Sequence, residues 1–217
     1  MRIAAVFFAL LFIFAEWAHA HEETVFRHPL RPQTESAFRT TFQRIAEHQF
    51  IRGNFEQERT LGRLNRSLRS SGNFIIAAQL GMVWDTVNPF PSTLALGSDF
   101  LIQSRPGGQK TVLSAQGNET FLRMADVISA VFSGSVQRLV DNFEIYFSGN
   151  TASWELGLIP LDGTINAFAE RIIMGGDTVI RYIQLFEQSG DSITYTLSNH
   201  SFPRELTHAE QQLFSIP

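Results

Sequence analysis

The chain has 217 residues, of which 17 are Lys or Arg and 21 are Asp or Glu, giving a formal net charge of -4. This length fits one domain or at most two small ones, and a hydrophobic fraction of 44% is enough to build a core, which excludes a disordered chain. The mildly acidic balance argues against nucleic acid as a partner, and the absence of cysteine excludes disulfides, thiolate metal sites and thiol catalysis.

The first segment has the pattern of a secretory signal peptide. A basic start at Arg2 precedes an apolar run over residues 3–15, which is too short to span a bilayer comfortably. Small residues at Ala18 and Ala20 occupy the two positions that a signal peptidase recognises. We therefore expect residues 1–20 to be removed and residues 21–217 to form the mature domain, with an uncleaved anchor as the alternative. Secretion without cysteine favours a bacterial periplasm.

The first predicted element of the mature chain is an amphipathic helix. Residues 21–32 contain two prolines and no period, which indicates an irregular leader. Phe38, Phe42 and Ile45 then recur at helical spacing, with Thr34 or Ser36 as the candidate cap.

Residues 53–115 mostly alternate between apolar and polar, which predicts strands. Met82 and Trp84 share one face of a predicted strand, and Leu94 and Leu96 share one face of another. Ser71-Gly72 predicts a turn, which would separate an arginine-bearing strand over residues 61–70 from the next strand.

Three arginines on that strand, Arg63, Arg66 and Arg69, have two interpretations. The simpler one is a solvated strand edge that also resists aggregation. The other is a patch that binds an acidic partner.

Residues 118–132 return to helical spacing, with Met124, Val127 and Val131 on the apolar side. The pattern extends to residue 143 after an interruption at Gly134.

Glycine-containing turns divide the remaining residues into a predicted antiparallel meander, which includes strands over residues 165–174 and 179–188. The apolar faces of the other strands are formed by Phe143, Ile145, Phe147, Trp154, Leu156, Leu158, Ile193, Tyr195 and Leu197. The whole pattern predicts a mainly β (α+β) fold, in which one antiparallel sheet of about ten strands curls and helices pack on one face.

The usual signatures of catalysis are missing from the sequence. It has no Gly-x-Ser-x-Gly elbow, no phosphate-binding loop and no His-Glu-x-x-His motif. We therefore predict a binding protein with no catalytic residues, no metal site and no cofactor.

Four segments of the sequence carry motifs in a characteristic order. Residues 53–57 give a Phe-x-Gln motif, Phe55 to Gln57, after an amphipathic helix. Residues 71–74, with a glycine and the start of an apolar strand, are followed by residues 82–85 around Trp84, and strands and turns continue from Trp154 onward. Together these segments resemble the periplasmic outer-membrane lipoprotein carrier proteins (LolA-like), as a divergent branch, over residues 36–199.

The resemblance implies an incompletely closed antiparallel β-barrel of about ten to eleven strands with helices as a lid. Such carriers take acylated lipoproteins from an inner-membrane exporter to an outer-membrane acceptor, without hydrolysing ATP themselves. We expect a monomer whose cavity and lid bind acyl chains through Phe38, Phe42, Ile45, Met82, Trp84, Leu94, Leu96, Met124, Val127, Val131, Phe143, Ile145, Phe147, Trp154, Leu156, Ile193, Tyr195 and Leu197.

One departure from the family concerns cargo release. The better-known carriers have a basic residue followed by Pro shortly before the aromatic-Trp pair, and an arginine there is tied to lid closure and release. Here that place is occupied by Ala78-Gln79. The difference suggests a branch that serves a glycolipid or another acylated cargo.

Two other functions remain open, namely a periplasmic lipid-binding sensor or adaptor on the same fold, and an enzyme acting on lipids. An outer-membrane barrel is disfavoured, because the sequence has two amphipathic helical stretches and ends without an aromatic strand terminus.

Overall fold

The computed structural model describes residues 24–97, 100–108, 110–114, 127 and 129–214. Its strands are β1 (Phe50–Leu61), β2 (Arg66–Ala77), β3 (Gly81–Asn88), β4 (Ser92–Leu96), β5 (Phe100–Ser104), β6 (Thr111–Ser114), β7 (Phe143–Asn150), β8 (Ser153–Pro160), β9 (Arg171–Gly176), β10 (Ile180–Phe186) and β11 (Ser192–Ser201). Its helices are α1 (Pro32–Ile45), α2 (Val136–Asn142), α3 (Gly163–Asn166) and α4 (His208–Leu213), with short 3-10 helices at Val25–Arg27 and Gly62–Leu64.

The strands of the described residues form one eleven-stranded antiparallel sheet in the order β6-β5-β4-β3-β2-β1-β11-β10-β9-β8-β7. The two edge strands, β6 and β7, do not pair with each other, so the sheet is curled but not closed. The predicted incompletely closed antiparallel barrel with helices is therefore confirmed.

Alternation along each strand gives the sheet an inner and an outer face. On the inner face Trp84 lies opposite Leu94, and Ile145 lies opposite Leu158. The inner side chains of β1 to β3 and of β7 to β11 join α1 and α2 in one apolar core. Of the predicted apolar residues of the late strands, all but Ile193 belong to this core or pack against it.

The predicted turn at Ser71-Gly72 is wrong, because β2 runs through both residues. Gly72 is required for close approach: a Cβ at this position would collide with the carbonyl oxygen of Asp85 on β3 and lie 2.9 Å from the Phe55 ring. The chain reverses instead at Gly62–Leu64, where Asn65 adopts a left-handed conformation with φ 47°. β1 and β2 therefore form one long hairpin.

The predicted strand over residues 165–174 is also partly wrong, because α3 occupies its first residues and β9 begins only at Arg171. The carboxylate of Asp162 accepts hydrogen bonds from the backbone N–H groups of Thr164 at 2.6 Å and Ile165 at 3.4 Å. This N-cap stabilises a helical turn where the apolar pattern alone indicated a strand.

The leader is more ordered than its sequence indicated. The N–H of Leu30 donates to the carbonyl of Ile145 at 2.8 Å, and the N–H of Phe147 donates to the carbonyl of His28 at 2.8 Å. This segment therefore pairs with the edge of β7. Helix α1 begins at Pro32, before both predicted caps, and Thr34 instead accepts a hydrogen bond from the backbone N–H of Arg31 at 3.1 Å.

Most of the predicted helix over residues 118–132 lies outside the described residues, as does the proposed signal peptide. Residues 129–132 are helical, and Gly134, with φ 65°, separates them from α2. The predicted interruption at Gly134 is thus confirmed, and residue 143 already belongs to β7.

The prediction that helices pack on one face of the sheet is wrong. The C-terminal strap, defined here as residues 206–214 and containing α4, covers the outer face of β2 to β5. Its Leu206 and Phe214 are buried in a second apolar cluster with Ala77, Val83, Ala95, Phe100 and Ile102. The guanidinium of Arg52 on β1 binds the carboxylate of Glu210 at 2.6 Å. The outer positions of these strands are apolar too, so they need cover on both faces.

Candidate functional site

One part of the barrel interior, the filled half, is packed by helices. α1 buries Phe38 and Phe42 completely, and their rings lie 5.5 Å from Phe147 and 5.8 Å from Trp154, respectively. Many of the predicted cavity residues have buried side chains, and all of these except Leu96 belong to the core that α1 and α2 share with the sheet: Phe38, Phe42, Ile45, Leu96, Val131, Phe143, Ile145, Phe147, Trp154, Leu156 and Leu197.

Another part of the inner face, the open half, is only partly covered among the described residues. Here β3 and β4 contribute Met82, Trp84 and Leu94, and β10 and β11 contribute further apolar side chains. The half-buried residues of this surface are Met82, Trp84, Leu94, Ile183, Leu185, Ile193 and Tyr195. Val127 is half-buried against the common core, whereas Met124 lies outside the described residues. The open half is therefore the candidate binding surface.

Trp84 lies at the centre of an aromatic group on this surface. Its ring stacks on Phe55 at 4.3 Å and on Phe74 at 5.8 Å, and meets the edge of Tyr195 at 5.2 Å. The indole N–H of Trp84 is buried and has no hydrogen-bond partner among the described residues. A buried donor without an acceptor is costly, so this N–H is a candidate contact for an oxygen of a ligand.

At the polar end of the open half, an arginine is paired with acidic side chains. Arg59 follows Phe55 and Gln57 on the inner face of β1 and forms ion pairs with Glu187 at 2.9 Å and Asp191 at 3.3 Å. Burial raises the pKa of the Tyr195 hydroxyl above its ordinary value, although the charge of Arg59 acts in the opposite direction. Tyr195 therefore stays neutral at physiological pH, and the surface offers a ligand mainly apolar contact.

Two cavities adjoin this surface, and both are small. One of about 10 Å³ lies between Ile45, Phe74 and His200, and one of about 60 Å³ lies between Leu96, Phe132 and Ala78. Small-molecule pockets usually enclose about 300–1,000 Å³, so a long ligand needs the open surface or movement of a covering element. Ala78 is half-buried in the turn between β2 and β3, at the edge of the second cavity.

Comparison with known proteins identifies the family. The model of the family described as "Outer membrane lipoprotein carrier protein LolA-like" matches residues 34–201, which is well over half of the chain. The chain belongs to this LolA-like family. Among curated proteins, none matches the sequence significantly.

Solved structures of similar proteins share little sequence identity with this LolA-like chain. The LolA superfamily protein NE2245 from Nitrosomonas europaea is 8% identical, with a TM-score of 0.45 over 84% of this chain and 97% of that one. A putative outer membrane lipoprotein-sorting protein domain from Vibrio parahaemolyticus is 12% identical, with a TM-score of 0.42 over 84% and 100%. The MucA/MucB complex of Pseudomonas aeruginosa matches at 12% identity and a TM-score of 0.47, over 81% of this chain and 60% of that one.

Family membership supports a lipid-binding fold, and the family description is that of a carrier. Within the described residues, no group of three or more His, Asp or Glu side chains is arranged to hold a metal ion. No helix of the described part is long and apolar enough to cross a membrane.

Sequence reasoning missed Ile183 and Leu185 of the open half, and the buried Phe55 and Phe74 on which Trp84 stacks. The strands that carry them were predicted, but β10 has large side chains on both faces, so its inner side was ambiguous. The pairing of Ile183 with Tyr195 assigns it to the inner face. The register between β10 and β11 decides which face of β10 is the inner one, and this register could not be predicted from the sequence.

Proposed function

We propose that this LolA-like protein is a periplasmic carrier, which binds the acyl chains of lipoproteins or of another acylated lipid and delivers them towards the outer membrane. The observation that supports the proposal is the open half, an apolar inner surface that is only partly covered. Its cargo would come from an inner-membrane exporter and pass to an outer-membrane acceptor.

The driving force for binding would be the burial of methylene groups. Each CH₂ group removed from water contributes about 0.8 kcal/mol, so a chain lying along Met82, Trp84 and Leu94 gains several kcal/mol without any charged contact. In this proposal the unpartnered indole N–H of Trp84 donates to the carbonyl oxygen of the acyl group. That hydrogen bond would place the head of the chain near the aromatic group.

Photo-crosslinking tests which face of the sheet holds cargo. A photoreactive residue at Met82 or Leu94 should capture acylated cargo in cells. One at Thr93, the outer-face neighbour of Leu94, or at Glu155, which accepts a hydrogen bond from Tyr182 on the outer face, should not. Native mass spectrometry of the periplasmic protein would identify the cargo. Equal capture at all four positions would contradict an internal site.

In this proposal, release into the periplasm follows cleavage of the signal peptide. We expect signal peptidase to cut after Ala20 and leave His21 as the first residue of the mature protein. N-terminal sequencing of protein from the periplasm checks this, and an intact Met1 in the membrane fraction would contradict it.

A second candidate function is a lipid-binding sensor or adaptor. It is favoured by Ala78, which stands where the better-known carriers have the arginine tied to release. A protein that only senses lipid has no need of that step. Transfer of bound lipid to acceptor membranes or to an outer-membrane acceptor separates the two, because a sensor would retain its ligand.

A further inference from the structure

The hairpin of β1 and β2 ends in an exposed segment that combines leucine and arginine. This hairpin tip, defined here as residues 61–69, includes Leu64 at 65% exposure and Leu68 at 57%. Arg63 and Arg66 are also exposed. Leu68 lies opposite Arg59 and therefore on the inner face, beyond the point where β3 has ended. The tip thus continues the inner face into solvent beyond Gln57 and Arg59, with Leu68 exposed on it.

Other exposed apolar residues lie at the same end of the sheet. The last pair of β2 and β3 joins Ser71 to Asn88, so the turn after β3, with Phe90 at 81% exposure, is on the side of the hairpin tip. By the same antiparallel order, the connection from β8 to β9, with Leu161 at 65% exposure, is on this side. We call this side of the barrel the tip end. Most of the exposed large hydrophobic residues of the described chain belong to it.

The hairpin tip itself is basic, because residues 61–69 contain three arginines and no acidic residue. Arg69 pairs with Glu58 at 3.2 Å, so its charge is compensated. Arg63 and Arg66 form no ion pair within the described part of the chain, and the same holds for Arg105 and Lys110 beside the turn between β5 and β6. The exposed Arg63 and Arg66 therefore give the hairpin tip a local positive charge, although the chain has a net charge of -4 and acids such as Glu170 and Asp191 lie elsewhere at this end.

We propose that the tip end docks on the surface of a bilayer that contains anionic phospholipids. Basic side chains close to such a surface are attracted by its negative potential, while neighbouring leucine and phenylalanine side chains enter the boundary between headgroups and acyl chains. An acidic protein would satisfy the arginines, but it would give the separated leucine and phenylalanine tips no apolar layer. Docking in this orientation directs the tip-side end of the inner face towards the membrane.

Vesicle binding tests the proposal independently of cargo. The protein is used as cells release it, with its N-terminus determined by mass spectrometry. It is mixed with vesicles of phosphatidylcholine alone, or with vesicles in which about 30% of the lipid is phosphatidylglycerol, which makes the surface clearly negative. We expect binding to the anionic vesicles to exceed binding to the neutral ones, and to weaken with added salt. Arg63→Gln/Arg66→Gln should lower the partition coefficient about 25-fold, since each arginine contributes about fivefold.

Matched controls distinguish the tip from general stickiness. Leu64→Ser/Leu68→Ser should lower binding about tenfold or more, because these side chains lose their apolar burial. Leu80→Ser/Leu213→Ser changes two exposed leucines away from the tip end and should leave binding unchanged, as should Arg44→Gln/Arg204→Gln. All four positions of the tip variants are exposed, so these variants should fold.

A direct probe reports insertion. The chain has no cysteine, so Leu64→Cys can be labelled alone with an environment-sensitive dye, with Leu80→Cys as the control. A blue shift on anionic vesicles for Leu64→Cys only is the expected result. Equal binding to both kinds of vesicle, no binding to either, or unchanged binding by both tip variants would overturn the proposal. None of these outcomes would change cargo crosslinking at Met82, so failure of the docking proposal can be distinguished from failure of the carrier proposal.

Discussion

The filled half and the open half of the barrel interior are built from the same kind of strand but are covered differently. In the filled half, α1 and α2 lie over β7 and β8, and side chains such as Leu156 are completely buried. In the open half, Leu94 faces the same interior and stays half-exposed. Among the described residues, an apolar inner face that a helix covers is part of the core, and one that no described helix covers is a candidate binding surface.

The outer face shows the opposite arrangement. Behind the strands of the open half, the C-terminal strap buries Leu206 and Phe214 against Val83 and Phe100. β2 to β5 can therefore be held in place from outside while their inner face stays accessible. This division of roles explains how these strands remain structured although the described residues cover their inner face only in part.

The largest expected effect separates the two halves with one substitution. Leu156→Ala should lower the free energy of unfolding by about 2–5 kcal/mol, because a completely buried side chain leaves a cavity. Leu94→Ala should lower it by only about 1 kcal/mol, because the side chain is already half-exposed. Urea unfolding measures both variants. Equal losses would mean that the open half is packed like a core.

Two of the tryptophans, Trp84 and Trp154, differ in how their indole N–H groups are satisfied. The indole N–H of Trp154 donates to the carbonyl of Asp177 at 2.6 Å, whereas that of Trp84 has no partner in the described structure. Trp154→Phe should therefore cost about 1–3 kcal/mol of stability and Trp84→Phe less than about 1 kcal/mol. Trp84→Phe should instead weaken acyl-chain binding, measured by displacement of a fluorescent fatty acid. A larger stability loss at Trp84 would contradict this assignment.

The strap is tested through its ion pair. Burial opposes ionisation of Glu210, but the Arg52 guanidinium and the hydrogen bonds from Thr207 outweigh it and lower the pKa of the carboxyl below its ordinary value. Glu210→Ala should cost about 1–2 kcal/mol in urea unfolding, through loss of a partly exposed ion pair and of the α4 capping box. Glu205→Ala, a nearby exposed acid, should change stability by less than about 0.5 kcal/mol.

Ala78 tests the edge of the open half. Ala78→Arg should change the free energy of unfolding by no more than about 1–2 kcal/mol, because the turn is half-buried and a long side chain there can extend to water. The substitution should alter release of bound lipid more than folding. Failure of the variant to fold would show that the position has no route to solvent.

The smallest effect depends on pH at the boundary between the halves. His200 contacts Phe74 edge-on, and burial lowers its pKa below the ordinary value, with the nearby charge of Arg181 acting in the same direction and Asp177 opposing it. The folded state thus disfavours the protonated imidazole. Neutral His200 therefore contributes its full stability above the unfolded pKa of about 6.5. The free energy of unfolding decreases as the pH falls below that value, because the unfolded state takes up the proton more readily.

Melting curves between pH 7.5 and 5.5, a range of about one unit on each side of that pKa, check this. The wild type should lose more stability on acidification than His200→Gln, which cannot take up the proton. Identical pH dependence of the two proteins would mean that His200 does not cause the loss of stability on acidification.

Features that depend on local spacing were predicted correctly, whereas contacts between distant parts of the chain were not. Phe38, Phe42 and Ile45 were assigned correctly to one helix face, because helical spacing is local. The inner faces of β7 and β8 followed from alternation for the same reason. Gly72 was misassigned, because glycine serves both a turn and a close approach between strands, and only the neighbouring Asp85 distinguishes these uses. Leu206 and Phe214 were missed, because their partners lie far away in the chain.

The family, the antiparallel strands and the apolar side of most elements could be predicted, since they depend on residue order over a few positions. Which apolar faces are covered depends on how distant elements pack. Phe147 and Trp84 have the same alternating pattern around them, yet α1 lies over one and the other remains half-exposed. The physical reason is that burial is a property of two surfaces, and a periodic pattern describes only one of them.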